Sequence, residues 1–201
     1  MKLYHSPASC SLAVAIALAE ADLEAEYVKV DLRSKTAADG SDFLALHPLG
    51  YVPVLQLDDG EALAEVIAIL QYIADAAPGA GLAPEAGRRD YYRYLAALSF
   101  IATELHKTLG GLFAPGLSEE MKAAITRRVR LRLDQHEARW QGRTWVLGEH
   151  YSAADGYQFV VLNWLQFVGL ELSDWPQLAA HAARVRARPA IQRAMVAVGL
   201  G

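Results

Sequence analysis

Cysteine is almost missing from this chain: Cys10 stands alone among 201 residues. A single thiol excludes an internal disulfide framework and any zinc site built on cysteine pairs. It fits a reducing compartment. An excess of positive charge is missing too. Nineteen Lys and Arg face 23 Asp and Glu, a formal net charge of −4. That balance offers no basic surface for neutralising phosphates, so nucleic acid is not an expected partner. No apolar run approaches the roughly 20 residues needed to cross a bilayer. Lys2 and the apolar stretch 12–19 have the outline of a secretory leader, but His5, Pro7 and Ser9 interrupt the approach and one basic residue precedes it. The cytoplasm is the expected location. Internal repeats and low-complexity tracts are also absent.

What is present is a globular composition, 53% hydrophobic and 21% charged. The first part alternates between extended and helical signals. Leu3 and Tyr4 begin a short strand, His5 to Ser9 turn, and residues 10–21 are good helix formers. Residues 26–32 (EYVKVDL) alternate apolar and polar, as a half-buried strand does. Strand, helix, strand in that space is a βαβ unit with parallel strands. A short helix at 41–46 follows, then a strand at 52–57 holding Pro53. Asp58-Asp59-Gly60 signals a hairpin turn back through 61–64. Residues 65–76 place Val66, Ile69, Leu70 and Ile73 on one helical face.

Residues 78–87 (PGAGLAPEAG) form the one convincing linker. Beyond it the strand signals stop. Helices are expected at 88–109, 119–140, 152–167, 177–186 and 190–198, with Pro189 at the last break. An α/β half and an all-α half argue for two domains, 1–77 and 88–201.

Cys10 carries the sharpest chemical signal. It follows a turn and opens a helix, where partial positive charge and free N–H groups favour a thiolate. An inert first-turn cysteine is the alternative. Ser9 and Ser11 are read as caps. Val52-Pro53 lies at an extended segment; from the dipeptide alone a trans bond is expected, since cis forms are about 5–6% of X–Pro bonds. Glu65 suits a helix N-terminus, and there a ligand ammonium at the carboxylate and a ligand carboxylate at the Val66 N–H are the functional reading. Lys35 by itself reads as a solvated charge. In the long helix, Ser99, Thr103 and His106 at i, i+4 and i+7 share a face with Ala96 and Gly110, as in a helix lining a cleft. Residues 126–132 (TRRVRLR) read as a solvated face with local ion pairs. Ser152-Ala153-Ala154-Asp155 resembles a capping box with Asp in place of Glu or Gln.

Five segments together resemble the bacterial beta-class glutathione S-transferases: SPASCS around Cys10, HPLGYVPVLQLDDG at 47–60, EVIAILQYIAD at 65–75, ELHK at 104–107 and SAAD at 152–155. They stand in order, in register over nearly the whole chain. The resemblance implies a thioredoxin-like N-terminal domain, an all-helical C-terminal domain and a cytoplasmic homodimer active in detoxification. It implies glutathione as co-substrate, an apolar electrophile as second substrate, and no metal. By position, Cys10 would lie beside the glutathione sulfur and His106 would approach it. Val52, before a cis Pro53, would pair with the cysteinyl backbone. Glu65 and Val66 would hold the γ-glutamyl end, and Lys35 the glycine carboxylate. Ser99, Thr103 and Glu104 would contribute from the helical wall, some of them across the dimer.

Two positions depart from the family. Val66 stands where Ser or Gly is frequent, and Ser99 where Asn is frequent. A lost hydrogen bond to a charged ligand group costs about 1.5–3 kcal/mol. Transfer of the glutathione thiolate to an apolar electrophile is the expected reaction. Thiol–disulfide or peroxide reduction through a Cys10 mixed disulfide is the second enzyme reading. A non-catalytic binding module is the third.

Overall fold

The computed structural model describes residues 1–200, which divide into two units. The first comprises Met1–Ala83 and the segment from Ala187 onward; the second is Pro84–Arg186.

The first unit opens with β1 (Lys2–His5), α1 (Ser11–Glu20) and β2 (Glu26–Asp31). β1 and β2 are parallel, with Leu3 opposite Tyr27 and Tyr4 opposite Val28. A two-residue strand, β3 (Thr36–Ala37), pairs antiparallel with β2. It is too short to leave a periodic signal, and the sequence reading has no strand there. α2 (Phe43–Leu46) is capped by Asp42, whose carboxylate accepts the Leu44 and Ala45 N–H groups at 3.1 and 3.2 Å. β4 (Val54–Gln56) and β5 (Ala62–Ala64) form the hairpin, and α3 (Val66–Ala76) follows. The sheet order is β3-β2-β1-β4-β5, with β4 antiparallel to β1. This is the thioredoxin-like topology that the resemblance implies.

Side chains alternate across the strands, and the two faces bury different sets. Tyr4, Val28, Val30, Val54 and Phe43 form one cluster, closed by α2. Leu3 and Leu55, also fully buried, point to the other face. α1 is apolar on all sides, and its residues from Ser11 to Leu18 are all buried. A helix of that pattern needs cover all round. It packs against β1, α3 and the C-terminal helix described below. Burying Leu12, Val14, Ile16 and Leu18 contributes roughly 1.5–3 kcal/mol each.

The second unit is helical. α4 (Arg89–Phe100) runs into a π-helical segment (Ile101–His106) and then α5 (Lys107–Gly110). α6 (Glu119–Ala138) begins at Ser118, whose hydroxyl accepts the Met121 N–H at 3.2 Å. α7 (Ala153–Leu162) is buried along its whole length and passes into a 3₁₀ segment (Asn163–Val168). α8 is Pro176–Arg186. Thus the expected single helix over 88–109 contains a π segment, and the helix expected over 152–167 changes to 3₁₀ after Leu162.

The domain boundary also differs from the sequence reading. Leu82, inside the Pro/Gly-rich linker, is 1% exposed and belongs to the first unit. α9 (Pro189–Ala197), expected in the helical domain, packs on α1 through Ala190, Ile191 and Ala194. Arg188 ties it there with a two-pronged bond to Glu20 at 2.5 and 2.8 Å, and Arg193 donates to the Ala19 carbonyl at 2.8 Å.

Candidate functional site

Residues 6–11 make a serine-lined turn before α1. The Ser9 and Ser11 hydroxyls lie 2.6 Å apart, and both donate to the Ser6 carbonyl. The Ser11 N–H donates to Ser9 Oγ at 3.2 Å. Neither serine is the cap that the sequence suggests: Cys10 holds the N-cap position without a side-chain cap bond, Ser9 lies just before it and Ser11 is the first helical residue. The turn presents Cys10 as the residue preceding α1.

Cys10 is not a thiolate. Its Sγ–H donates to the Val52 carbonyl at 3.4 Å. Burial pushes the thiol pKa up to about 12, against a weaker opposing bond from its own N–H, and the Glu65 carboxylate pushes it further up. The helix-start position that favours ionisation is outweighed by desolvation. Cys10, Val52 and Glu65 are therefore brought together within the first unit.

The Val52-Pro53 bond is cis, contrary to the expectation from the dipeptide alone. Val52 is half-buried, and buried Pro53 leads into β4. Glu65 is exposed at the head of α3 and holds φ +69°. A non-glycine residue there is strained, and such residues concentrate where a side chain must be aimed. Buried Val66 is the first helical residue, and helix geometry leaves its N–H outside the intrahelical ladder.

Lys35 is held, not loosely solvated. Its Nζ donates to the Gly50 carbonyl at 2.9 Å and lies 5.4 Å from the Tyr51 ring centre. Gly50 has φ +62°, and a Cβ there would fall 2.7 Å from Lys35 Cδ. The lysine stem rests on the bare glycine.

In the helical unit the expected common face is broken. A π turn takes more residues than an α turn, so each residue advances less around the axis. Ser99 and Thr103 are exposed, and the Thr103 hydroxyl donates back to the Ser99 carbonyl at 2.9 Å. His106 is turned inward. Its Nδ1 lies 2.6 Å from the Tyr157 hydroxyl, and its ring meets Trp164 edge-on at 4.8 Å. Burial, and then Lys107, lower its pKa to about 4, so it is neutral at physiological pH. The Glu104 carboxylate pairs with Arg132 at 2.5 Å. Arg130 pairs with Asp174 at 3.0 Å. The basic run is thus partly spent on ion pairs, but with partners far along the chain and not the local ones expected.

The capping box forms, and it reaches further than the sequence suggests. The fully buried Asp155 carboxylate accepts from the Ser152 N–H at 2.8 Å, the Ser152 hydroxyl at 3.0 Å and the Val146 N–H at 2.7 Å. His181 Nε2 lies 2.9 Å from the same carboxylate. From His181 the chain passes to Gln158 at 3.2 Å, and from Gln158 to His136 at 2.7 Å. Tyr157 is also absent from the sequence reading. It stands 51 residues from His106, and no local pattern links the two.

Among the described residues no group of three or more His, Cys, Asp or Glu side chains could hold a metal, and no helix is long and apolar enough to cross a membrane.

Comparison with known proteins agrees with this geometry. The model of the glutathione S-transferase N-terminal domain matches residues 1–75, and that of the C-terminal domain matches residues 100–189. Glutathione S-transferase GstA of Escherichia coli O157:H7 is 38% identical over 200 residues, covering 100% of both chains. A sphingomonad glutathione S-transferase solved with glutathione is 45% identical, with a TM-score of 0.96 and 100% of both chains covered. The bacterial beta-class glutathione S-transferase of Sphingomonas chungbukensis is 43% identical, again with a TM-score of 0.96 over 100% of both chains. This chain belongs to the glutathione S-transferase family, in its bacterial beta class.

Proposed function

We propose that the chain transfers the thiolate of glutathione to small apolar electrophiles, with Cys10 acting as a neutral hydrogen-bond donor. The observation that carries this reading is the Cys10 thiol itself, held protonated by burial with its Sγ–H on the Val52 carbonyl. A protonated thiol donates to a neighbouring thiolate and stabilises it. It does not attack a disulfide, because the thiolate is the nucleophile in exchange. The mixed-disulfide reductase reading is therefore weaker than transfer.

Glutathione is the co-substrate, and the sphingomonad relative is solved with it. In this reading its cysteinyl backbone pairs with Val52. The single Cys10 S–H turns from the Val52 carbonyl to the ligand thiolate, which frees that carbonyl to accept the cysteinyl N–H. Glu65, fixed at positive φ, receives the γ-glutamyl ammonium while the Val66 N–H meets the adjacent carboxylate. Lys35, already positioned by Gly50 and Tyr51, takes the glycine carboxylate. His106 donates toward the sulfur. Ser99 and Thr103, exposed and off the His106 face, take no part in this contact, and Glu104 is held by Arg132. The protein works in the cytoplasm as a homodimer, so sedimentation should give about twice 21.9 kDa.

Calorimetric titration with reduced glutathione, followed by conjugation kinetics with an activated aryl halide, tests the reading. Cys10→Ser, which keeps a donor, should retain most conjugation, and Cys10→Ala should lose more. Loss of all conjugation in Cys10→Ser, with stoichiometric glutathionylation of the native protein, would overturn transfer in favour of disulfide exchange. Absence of both binding and turnover would leave a binding module.

A further inference from the structure

We propose that Tyr157 is the positioning residue for His106: its hydroxyl donates to Nδ1, places the imidazole proton on Nε2, and so makes His106 a neutral hydrogen-bond donor in the reaction. The proposal deepens the preceding reading and rests on the place of His106 in the site.

Geometry brings the two groups into bonding contact, with Nδ1 2.6 Å from the hydroxyl, and acidity identifies the donor: a phenol gives up its proton at about pH 10, far more readily than a neutral imidazole N–H does. The unprotonated imidazole nitrogen is also a better acceptor than a phenol oxygen. Once Nδ1 accepts, the ring proton must sit on Nε2, since the bond at one nitrogen sets the tautomer of the other. Nε2 has no partner among the described residues and is left to serve a ligand.

The ring cannot turn away. Trp164 meets it edge-on at 4.8 Å and Tyr157 at 5.8 Å, and Phe113 braces Trp164 at 6.0 Å. Tyr157 itself is 1% exposed on the fully buried α7. The π segment ends at His106 and delivers the ring to this clamp. The charged group beside it is Lys107 on the same helix, while α7 and the segment after it face it with the Tyr157 phenol and the Trp164 indole. The ring is thus kept uncharged. A neutral imidazole that offers one N–H stabilises a developing negative charge without removing a proton.

The full-length protein labelled with ¹⁵N in histidine tests this by NMR, beside conjugation kinetics. In the native protein the His106 resonances should report one tautomer, protonated at Nε2, from neutral pH down to about pH 5. In Tyr157→Phe, which keeps the ring and its packing, the tautomers should mix, and kcat should fall about tenfold with KM for glutathione unchanged. His106→Gln, whose amide N–H reaches the Nε2 position, should retain more kcat than His106→Asn or His106→Ala. A native ring protonated at Nδ1 would overturn the proposal, as would a Tyr157→Phe variant with unchanged tautomer and rate. If His106→Ala leaves kcat intact, the place of His106 in the site fails and the catalytic half of the proposal with it, whatever tautomer NMR finds.

Discussion

Replacing Asp155 by alanine should unfold the protein at temperatures far below those of the native chain. The carboxylate is fully buried and accepts four bonds, from the Val146 N–H, the Ser152 N–H, the Ser152 hydroxyl and His181. Alanine removes all four acceptor interactions at once. The Ser152 hydroxyl can rotate, but the two backbone N–H groups and His181 Nε2 stay behind in residues 7% exposed or less. Each stranded buried donor costs about 1–3 kcal/mol. Three of them, less what an entering water recovers, give a loss of about 3–5 kcal/mol. That is a large share of the 5–15 kcal/mol by which domains are typically stable. At this chain length each kcal/mol moves the midpoint by about 2–4 °C, so Tm should fall by roughly 6–20 °C. Asp155→Asn keeps one acceptor oxygen and should fall between. Thermal and urea unfolding followed by circular dichroism measure the effect. A loss under about 1 kcal/mol, the size of an ordinary N-cap, would show that Asp155 caps α7 and nothing more.

The Cys10 thiol is pushed up from 9.0 to about 12, so between those pH values the unfolded chain has lost a proton that the folded chain keeps. Stability should decline as pH rises across that window, and urea midpoints of Cys10→Ser should decline less. His106 is lowered from 6.5 to about 4, so unfolding takes up a proton in that range. Stability should fall as pH drops from about 6.5 to 4, and His106→Gln should flatten that slope. Gly50→Ala forces a side chain into φ +62° and displaces the Lys35 stem. It should cost about 1–2 kcal/mol and raise KM for glutathione with kcat held, and steady-state kinetics would refute the Lys35 role if KM did not move.

The thioredoxin-like unit was legible because its elements are long enough to carry a period. EYVKVDL alternates, and the 65–76 helix repeats Val66, Ile69, Leu70 and Ile73 on one side. β3 was not legible, since two residues have no period. The π segment escaped for a related reason: IATELH is as good an α-helical sequence as its neighbours, and nothing local marks the change of turn. That one irregularity separates His106 from Ser99 and Thr103. The positions of Cys10, Val52 and Glu65 came from the family motif. The state of the Cys10 thiol did not, because the local helix start argues for ionisation while burial by distant residues decides the outcome. Tyr157 and the chain from Asp155 to His136 join residues too far apart in sequence for any local pattern to pair them.

The return of α9 to α1 has a consequence for how the protein is made. The thioredoxin-like unit is split in the genetic message by the helical one, with about a hundred codons between its two parts. Chains are synthesised at about 5–20 residues per second and tend to fold from the N-terminus forward. Here the apolar flank of α1 waits for Ala190, Ile191 and Ala194, with Arg188 arriving just ahead of them to find Glu20. For about 5–20 seconds of translation at that rate, the earlier part of the unit carries a bare hydrophobic stripe. The thioredoxin-like half, although written first, is sealed after the helical half.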